Sequence, residues 1–254
     1  MSSRAVVTAV IAAAGSGERL GAGGPKAFVP LAGRPLVEWS LAALRAAPSV
    51  ATIVVACPPA KGGEADPGPL TEFAGDLRLV AGGATRAQSV ANALAAVEAE
   101  LVAVHDAARP LLTPALLEGI VATLEADPGA AGAIAAAPVT DTIKRVGPSF
   151  VIEDTEDRSR LWAAQTPQVF RTAALRDALD VEPAIHDAAT DEAMLVEAAG
   201  GRVLIHPSSP RNFKVTTPLD LELAALLLAQ QGPDEDSGEA ELSDSQGDAE
   251  AGAG

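Results

Sequence analysis

An α/β fold, with a mainly parallel sheet between two layers of helices, is predicted by three observations on this 254-residue chain. Short apolar, β-branched runs alternate with helical periodicities along most of its length. The first run empties straight into a glycine-rich loop, as strands of open parallel sheets do at their carboxyl ends. The stretch Ala5 to Ala14 is apolar at every position but Thr8 instead of alternating, which marks a strand buried on both faces.

The elements follow in order. Val6 to Ala12 is the first strand; Pro35 to Ala46 has helical spacing (Leu36, Val37, Trp39, Ser40, Leu44) behind a starting proline; Ala51 to Ala56 is the second strand. Pro58 to Pro69 reads as a surface loop. A short strand at Leu77 to Val80 leads through Gly82-Gly83 into a helix, Ala84 to Glu98, and Leu101 to Val104 is a strand ending at His105-Asp106. Pro114 to Ala126 is a helix stopped by Asp127-Pro128-Gly129, and Ala130 to Ala137 is the next strand. From Pro138 to Gln165 the chain is polar and irregular, with Thr142 to Val146 and Phe150 to Asp154 able to pair around Gly147-Pro148-Ser149 as a protruding hairpin. Helical segments at Thr172 to Leu179 and Asp191 to Ala199, a strand at Arg202 to Ile205 and a closing helix from Pro218 to Gln230 complete a Rossmann-like three-layer α/β/α domain with a protruding β-arm at about 138–165. Residues 1–230 form that one domain. Residues 231–254 lack the apolar content to offset ordering entropy and are expected to be a disordered acidic tail.

Composition narrows the partners. The hydrophobic content of 48% is rich in alanine and only 3% of residues are aromatic, so the core must pack small side chains tightly. The net charge is −16, and half of it sits in the tail on Asp234, Glu235, Asp236, Glu239, Glu241, Asp244, Asp248 and Glu250. An acidic body repels nucleic acid and anionic membrane, so anion affinity must come from local cation clusters. Cys57 is alone, which excludes an internal disulfide and fits a reducing compartment. The run from Ala5 could pass for a signal-peptide core, but only Arg4 precedes it, and no apolar stretch approaches the roughly 20 residues needed to cross a bilayer. The expectation is a cytoplasmic protein without nucleic-acid or membrane partners.

The loop after the first strand is Ala13-Ala14-Gly15-Ser16-Gly17-Glu18-Arg19-Leu20, closed by Gly24-Pro25-Lys26. Small residues let backbone N–H groups approach phosphate oxygens, while Arg19 and Lys26 bring two cations to the same anion. A Walker loop is excluded, because Lys26 is followed by Ala27 and no hydroxyl is placed for magnesium. A dinucleotide fingerprint is weak, since Leu20 stands where the third glycine belongs. A polyphosphate ligand fits best; a plain strand-to-helix turn with solvated cations fits the same residues. Asp106, at a strand's carboxyl end, is the candidate for holding Mg²⁺ on nucleotide phosphates, with helix capping as its alternative role. Gly82-Gly83 before Arg86 and Ser89 suits close approach of a base or ribose, and equally a turn opening an amphipathic helix. His186 and His206 lack metal-ligand spacing, Trp162 and Phe170 read as packing under the arm, and Asp191-Glu192 has no evident chemical task.

The arrangement A-A-G-x-G-x-R-x-x-x-x-x-P-K at 13–26 resembles nucleotidyltransferases that join a nucleotide to a sugar or polyol phosphate. H-D-A-A-R-P at 105–110, G-G-x-x-R-x-x-S-V at 82–90, P-V-x-D-T-x-K, D-R-x-x-L-W-x-x-x-T-P-Q-x-F, T-D-E-A and N-x-K-V-T narrow the likeness to the 2-C-methyl-D-erythritol 4-phosphate cytidylyltransferases, over about Val6 to Leu228. The resemblance implies condensation of CTP with methylerythritol phosphate, releasing pyrophosphate, in the non-mevalonate isoprenoid pathway, with Mg²⁺ and a homodimer that exchanges its arms. It implies nucleotide contacts from Ala13, Ala14, Gly15, Ser16, Gly17, Gly82, Gly83, Arg86, Ser89 and Ala107. Methylerythritol phosphate would meet Asp106, Arg109, Thr140, Thr166 and Thr190. Arg19, Lys26, Lys214 and Arg158, the last from the neighbouring subunit's arm, would carry catalysis. Ala12 stands where many members have proline. A ribitol 5-phosphate cytidylyltransferase shares most of these motifs, a non-catalytic nucleotide sensor could use the same scaffold, and a dehydrogenase would need a nicotinamide cofactor.

Overall fold

A computed structural model of the chain describes residues 5–17, 20, 24–73, 75–179 and 189–230. Arg19, His186 and the acidic tail lie outside them. The first strand, β1 (Val7–Ala12), is buried from Val7 to Ile11 and half-buried at Ala12, as a run without polar–apolar alternation requires. After the glycine-rich loop come a small hairpin, β2 (Pro30–Leu31) with β3 (Arg34–Pro35), then α1 (Leu36–Ala46) and β4 (Val50–Cys57). Next are β5 (Arg78–Ala81), α2 (Arg86–Leu94), β6 (Leu101–Asp106), α3 (Pro114–Glu125) and β7 (Gly132–Pro138). Helix α2 is shorter at both ends than its periodicity suggests, because the Thr85 side chain accepts from the Gln88 N–H and sets the start two residues late.

The hairpin predicted beyond β7 is present: β8 (Lys144–Val146) pairs antiparallel with β9 (Ile152–Thr155) as a separate two-stranded sheet. The chain then returns as β10 (Trp162–Arg171), followed by α4 (Thr172–Leu179), α5 (Glu192–Ala198), β11 (Val203–Pro207) and α6 (Pro218–Gln230). The seven-stranded sheet has the order β11-β7-β10-β6-β1-β4-β5. All neighbours are parallel except β10, which runs antiparallel to both β6 and β7.

Strand β10 is the main departure from the sequence reading. Pro167 and three polar side chains hide it, since proline inside a central strand removes a ladder donor. The ladder to β7 absorbs that loss by shifting register between Ala164 and Gln168. Phe170 is fully buried within this strand, in the sheet's own core and not under the arm, while Trp162 is 38% exposed.

Side chains alternate across the sheet into two apolar layers. Val7, Ala9 and Ile11 pack with α1 and α3 on one face, and Val10, Val54 and Val104 with α2, α4 and α5 on the other. A third cluster, Leu20, Val29, Leu31, Leu36, Val215 and Ala224, seats α6 over the segment beyond the glycine-rich loop. Helix α6 begins in a capping box: Asp220 Oδ2 accepts from the Thr216 N–H, the Thr216 hydroxyl and the Thr217 N–H, and Thr217 Oγ1 accepts from the Asp220 N–H. The hydrogen bond from the Thr216 hydroxyl leads the causes that pull the Asp220 pKa down to about 2.

A depressed carboxylate pKa gives stability that is present above the unfolded-state value of about 3.9 and is lost as pH falls through about 2. Asp220→Ala should therefore lower the unfolding free energy by about 1 kcal/mol at neutral pH. It should also flatten the acid limb between about pH 4 and pH 2, read by urea denaturation across that range.

Candidate active site

The site forms where β1 and β6 end side by side, with Ala12 paired to Asp106 in register. Each strand hands its chain to a turn tied to its neighbour: Ala13 N–H donates to the Ala56 carbonyl at 3.0 Å, and Ala107 N–H to the Ala12 carbonyl at 3.2 Å. The glycine-rich loop then folds back on its closing segment. Lys26 N–H donates to the Gly15 carbonyl at 3.0 Å, and Gly17 sits at φ +74°, where a side chain is strained and where a Cβ would crowd the Lys26 backbone at 3.0 Å. The fold-back puts Lys26 beside the loop's backbone donors.

On the far wall, Gly82 N–H donates to the Cys57 carbonyl at 2.8 Å, and a Cβ on Gly82 would run into that of Ala14. Glycine here lets the two loops touch. The Ser89 hydroxyl accepts from Gly83 N–H at 3.0 Å and donates to the Thr85 carbonyl at 2.9 Å, so it shapes the turn that opens α2.

Between these walls lies a cavity of about 640 Å³, lined by Ala13 through Gly17, Lys26, Gly83, Arg86, Ser89 and Ala107 among others. A smaller cavity of about 180 Å³ adjoins it, lined by Arg109, Ala164, Gln165, Thr166, Gln168, Thr190 and Asp191. Both are bounded by Arg86, Asp106 and Lys214. Those three side chains are the common wall.

The wall is a set of ion pairs. Arg86 Nε donates to Asp106 Oδ1 at 2.9 Å, Lys214 Nζ to Asp106 Oδ2 at 2.7 Å, and Arg86 Nη1 to Glu192 Oε1 at 2.6 Å. Burial acts to raise the Asp106 pKa, but Arg86 and then Lys214 outweigh it and hold the group well below the usual carboxylate range. Burial likewise acts to lower the Arg86 pKa, and Glu192 and Asp106 more than reverse it. Asp106 is ionised and Arg86 is charged throughout the physiological range.

Lys214 reaches this wall through a clamped loop. Val215 N–H donates to the Ala108 carbonyl, Arg109 Nη1 to the Asn212 carbonyl, and Asn212 Nδ2 to Gln165 Oε1 and the Thr166 carbonyl. Arg109 thus uses part of its fork to brace the loop.

His105 and Thr166 form a second buried network. His105 Nε2 lies 3.2 Å from the Arg109 carbonyl, which can only accept, so Nε2 carries the hydrogen. Burial pulls the ring's pKa down to about 4, so it is neutral and Nδ1 is an acceptor. The Thr166 hydroxyl, 3.1 Å away, donates to it while accepting from Asp106 N–H at 3.0 Å. Thr166 also lines the smaller cavity.

Most of the expected residues converge here. Gly82 stands behind the nucleotide-side wall and lines neither cavity. Thr140 and Arg158 also line neither: both are exposed on the arm side, with Arg158 Nη1 donating to the Thr140 carbonyl at 2.6 Å. Arg19 falls outside the described residues, so only Lys26 of the cation pair is placed. Asp106 is the expected metal holder, and both its oxygens are engaged by cations instead. Glu192, which has no evident task in the sequence, is 1% exposed and paired to Arg86. Its signal in the sequence is a carboxylate in step with Leu195 and Val196, the buried face of α5.

The family described as 2-C-methyl-D-erythritol 4-phosphate cytidylyltransferase matches residues 7–230. The chain belongs to this family. It is 43% identical over 227 residues to the cytidylyltransferase of that name from Symbiobacterium thermophilum, covering 89% of this chain and 94% of the relative. It is 45% identical over 243 residues to the one from Xanthomonas campestris pv. campestris strain B100, covering 93% and 90%. Among solved structures, the Thermus thermophilus enzyme is similar at a TM-score of 0.70 with 34% identity, covering 87% of this chain and 98% of that one. The Francisella tularensis enzyme is similar at 0.73 with 28% identity, covering 87% and 99%. Family membership makes the chain a nucleotidyltransferase of the isoprenoid precursor pathway and bears out the α/β fold.

Thr166→Val should strand the Asp106 N–H and His105 Nδ1 without partners and lower the unfolding free energy by about 2 kcal/mol, whereas Thr166→Ser should stay close to wild type. Urea denaturation of the two variants checks the network.

Proposed function

We propose that the chain transfers the cytidylyl group of CTP to 2-C-methyl-D-erythritol 4-phosphate and releases pyrophosphate. The observation that carries this reading is the pair of adjoining cavities with one shared, cation-bearing wall. The larger takes the nucleotide, with its triphosphate over the loop from Ala13 to Gly17 and beside Lys26. The smaller takes the polyol phosphate, whose phosphate lies toward Lys214 and whose hydroxyls lie toward Thr166 and Thr190. Gly83 and Ser89 border the nucleoside end.

A phosphate monoester is largely dianionic at neutral pH, its second pKa being about 6, so its oxygen attacks the α-phosphorus without a general base. The new O–P bond forms as the bond from the α-phosphorus to the bridging oxygen breaks, and the electron pair leaves with pyrophosphate. The protein's share is alignment and charge: Lys26 and Lys214 approach from the two cavities and neutralise charge gathering on the non-bridging and departing oxygens. Arg19 belongs with Lys26 in this reading.

In this reading the nucleotide's phosphate oxygens would supply most of the ligands of a bound Mg²⁺. Asp106 is the nearest protein candidate, and coordination by it would compete with Lys214 or Arg86. The ion's chemistry is to polarise phosphoryl oxygens.

The positions of Arg158 and Thr140 support a homodimer with exchanged arms. They sit outside the chain's own cavities, on an arm that exposes Phe150 at 89% and Val151 at 65%. Such apolar surface suits a second copy of the chain. No helix among the described residues is long and apolar enough to cross a membrane. A buried, single Cys57 and two charged small-molecule substrates favour the cytoplasm.

Pyrophosphate release that depends on both CTP and methylerythritol phosphate is the test of the activity. Lys26→Ala should lower kcat by about 10²-fold, as loss of a transition-state donor does, and near-wild-type turnover would remove Lys26 from catalysis.

Arm exchange has its own test in mixed dimers of Lys26→Ala and Arg158→Ala subunits, each expected to be strongly impaired alone. If Arg158 serves the neighbouring site, the heterodimer holds one complete site and regains activity. Co-purified heterodimers that stay inactive would assign Arg158 to its own chain.

A further inference from the structure

Behind the shared wall stands a carboxylate that lines neither cavity. Glu192, in the first turn of α5, is 1% exposed, and Arg86 Nη1 donates to its Oε1 at 2.6 Å. Arg86 Nε passes the contact on to Asp106, and Asp106 to Lys214. The four side chains make one line of alternating charge from α5 through α2 and β6 to the Lys214 loop. Lys214 opens on both cavities; Glu192 opens on none.

Glu192 is held where it stands. Asp191 caps α5 by accepting from Met194 N–H, and Gln168 on β10 grips both sides of Glu192, donating to Asp191 Oδ2 at 2.8 Å and accepting from Ala193 N–H at 3.2 Å. The carboxylate is therefore a fixed point against the sheet. Stability does not account for it, since an apolar pair would join α5 to α2 at least as well as a buried ion pair does. What an apolar pair could not do is hold a guanidinium at a set angle. With Nη1 tied to Glu192, Arg86 presents Nε to Asp106 Oδ1, leaving Oδ2 to aim Lys214. Glu192 also balances the wall, which otherwise sets two cations against one anion.

We propose that Glu192 is a positioning residue for nucleotidyl transfer, acting through Arg86 on Asp106 and thereby on the placement of Lys214 between the two substrates. The inference rests on the reading that the reacting phosphates meet at this wall. Loss of Glu192 then impairs the step in which charge develops, while the binding surfaces of both cavities stay intact.

Glu192→Gln keeps the shape and removes the charge. Its kcat should fall about 10- to 100-fold, the usual scale for a partner that orients a functional group, with both KM values within about threefold of wild type. In an Asp106→Asn background, the same substitution should cost nothing further, because the residue it acts through is already altered. Wild-type kcat in a Glu192→Gln protein that merely melts earlier would overturn the inference, and so would losses that multiply in the double variant. Should Glu192→Gln not fold, Glu192→Asp, which keeps the charge and withdraws it by one methylene, is expected to show a smaller fall in kcat that likewise vanishes in the Asp106→Asn background. The parent enzyme run alongside separates the two readings: an inactive parent counts against the proposed activity, an active parent with an unaltered variant against the role of Glu192.

Discussion

Asp106 keeps a full negative charge at the floor of two cavities meant for anions, and the rest of the site is arranged around that constraint. A buried carboxylate facing incoming phosphates would repel them if it stood alone. Here each oxygen meets a cation, Arg86 on one side and Lys214 on the other, so the wall presents ammonium and guanidinium groups held in place by the carboxylate between them. Asp106 is a mount for both cations. Lys214 is held at 2.7 Å from Asp106 Oδ2 while it opens on both cavities.

The same arrangement reconciles an acidic protein with anionic substrates. A net charge of −16 gives no general attraction for nucleotides. A few cations are instead brought to the two cavities by separate elements: Lys26 after β1, Arg86 on α2, Arg109 after β6 and Lys214 before α6. Arg86 and Lys214 are braced by carboxylates and Arg109 by a backbone carbonyl, so the local field is fixed by geometry.

Much of this organisation was legible in residue order. Strand β1 and its loop were recognisable because an apolar run and a glycine-rich turn are local signals, and α3, α4 and the arm hairpin were readable for the same reason. Strand β10 was not, because its strand character comes from ladders on both sides and not from its own pattern, which a proline and glutamines disguise. Glu192 escaped for a related reason: a carboxylate at a helix start reads as solvated or capping until the partner helix is seen to place Arg86 against it. Gln165, Gln168 and Asn212, buried and cross-linking β10 to the loops, carry no local signal at all.

The sequence by itself determined the class of fold, the glycine-rich turn after the first strand and the identity of most side chains that converge, since these depend on chain-local periodicity, on backbone freedom at glycine and on the chemistry of individual groups. Only the tertiary structure decided which charges neutralise one another and which remain for a ligand. That division is physical: Lys214 and Asp106 are 108 positions apart in the chain, and a pairing energy that falls with distance and rises with burial has no value until the fold has set both.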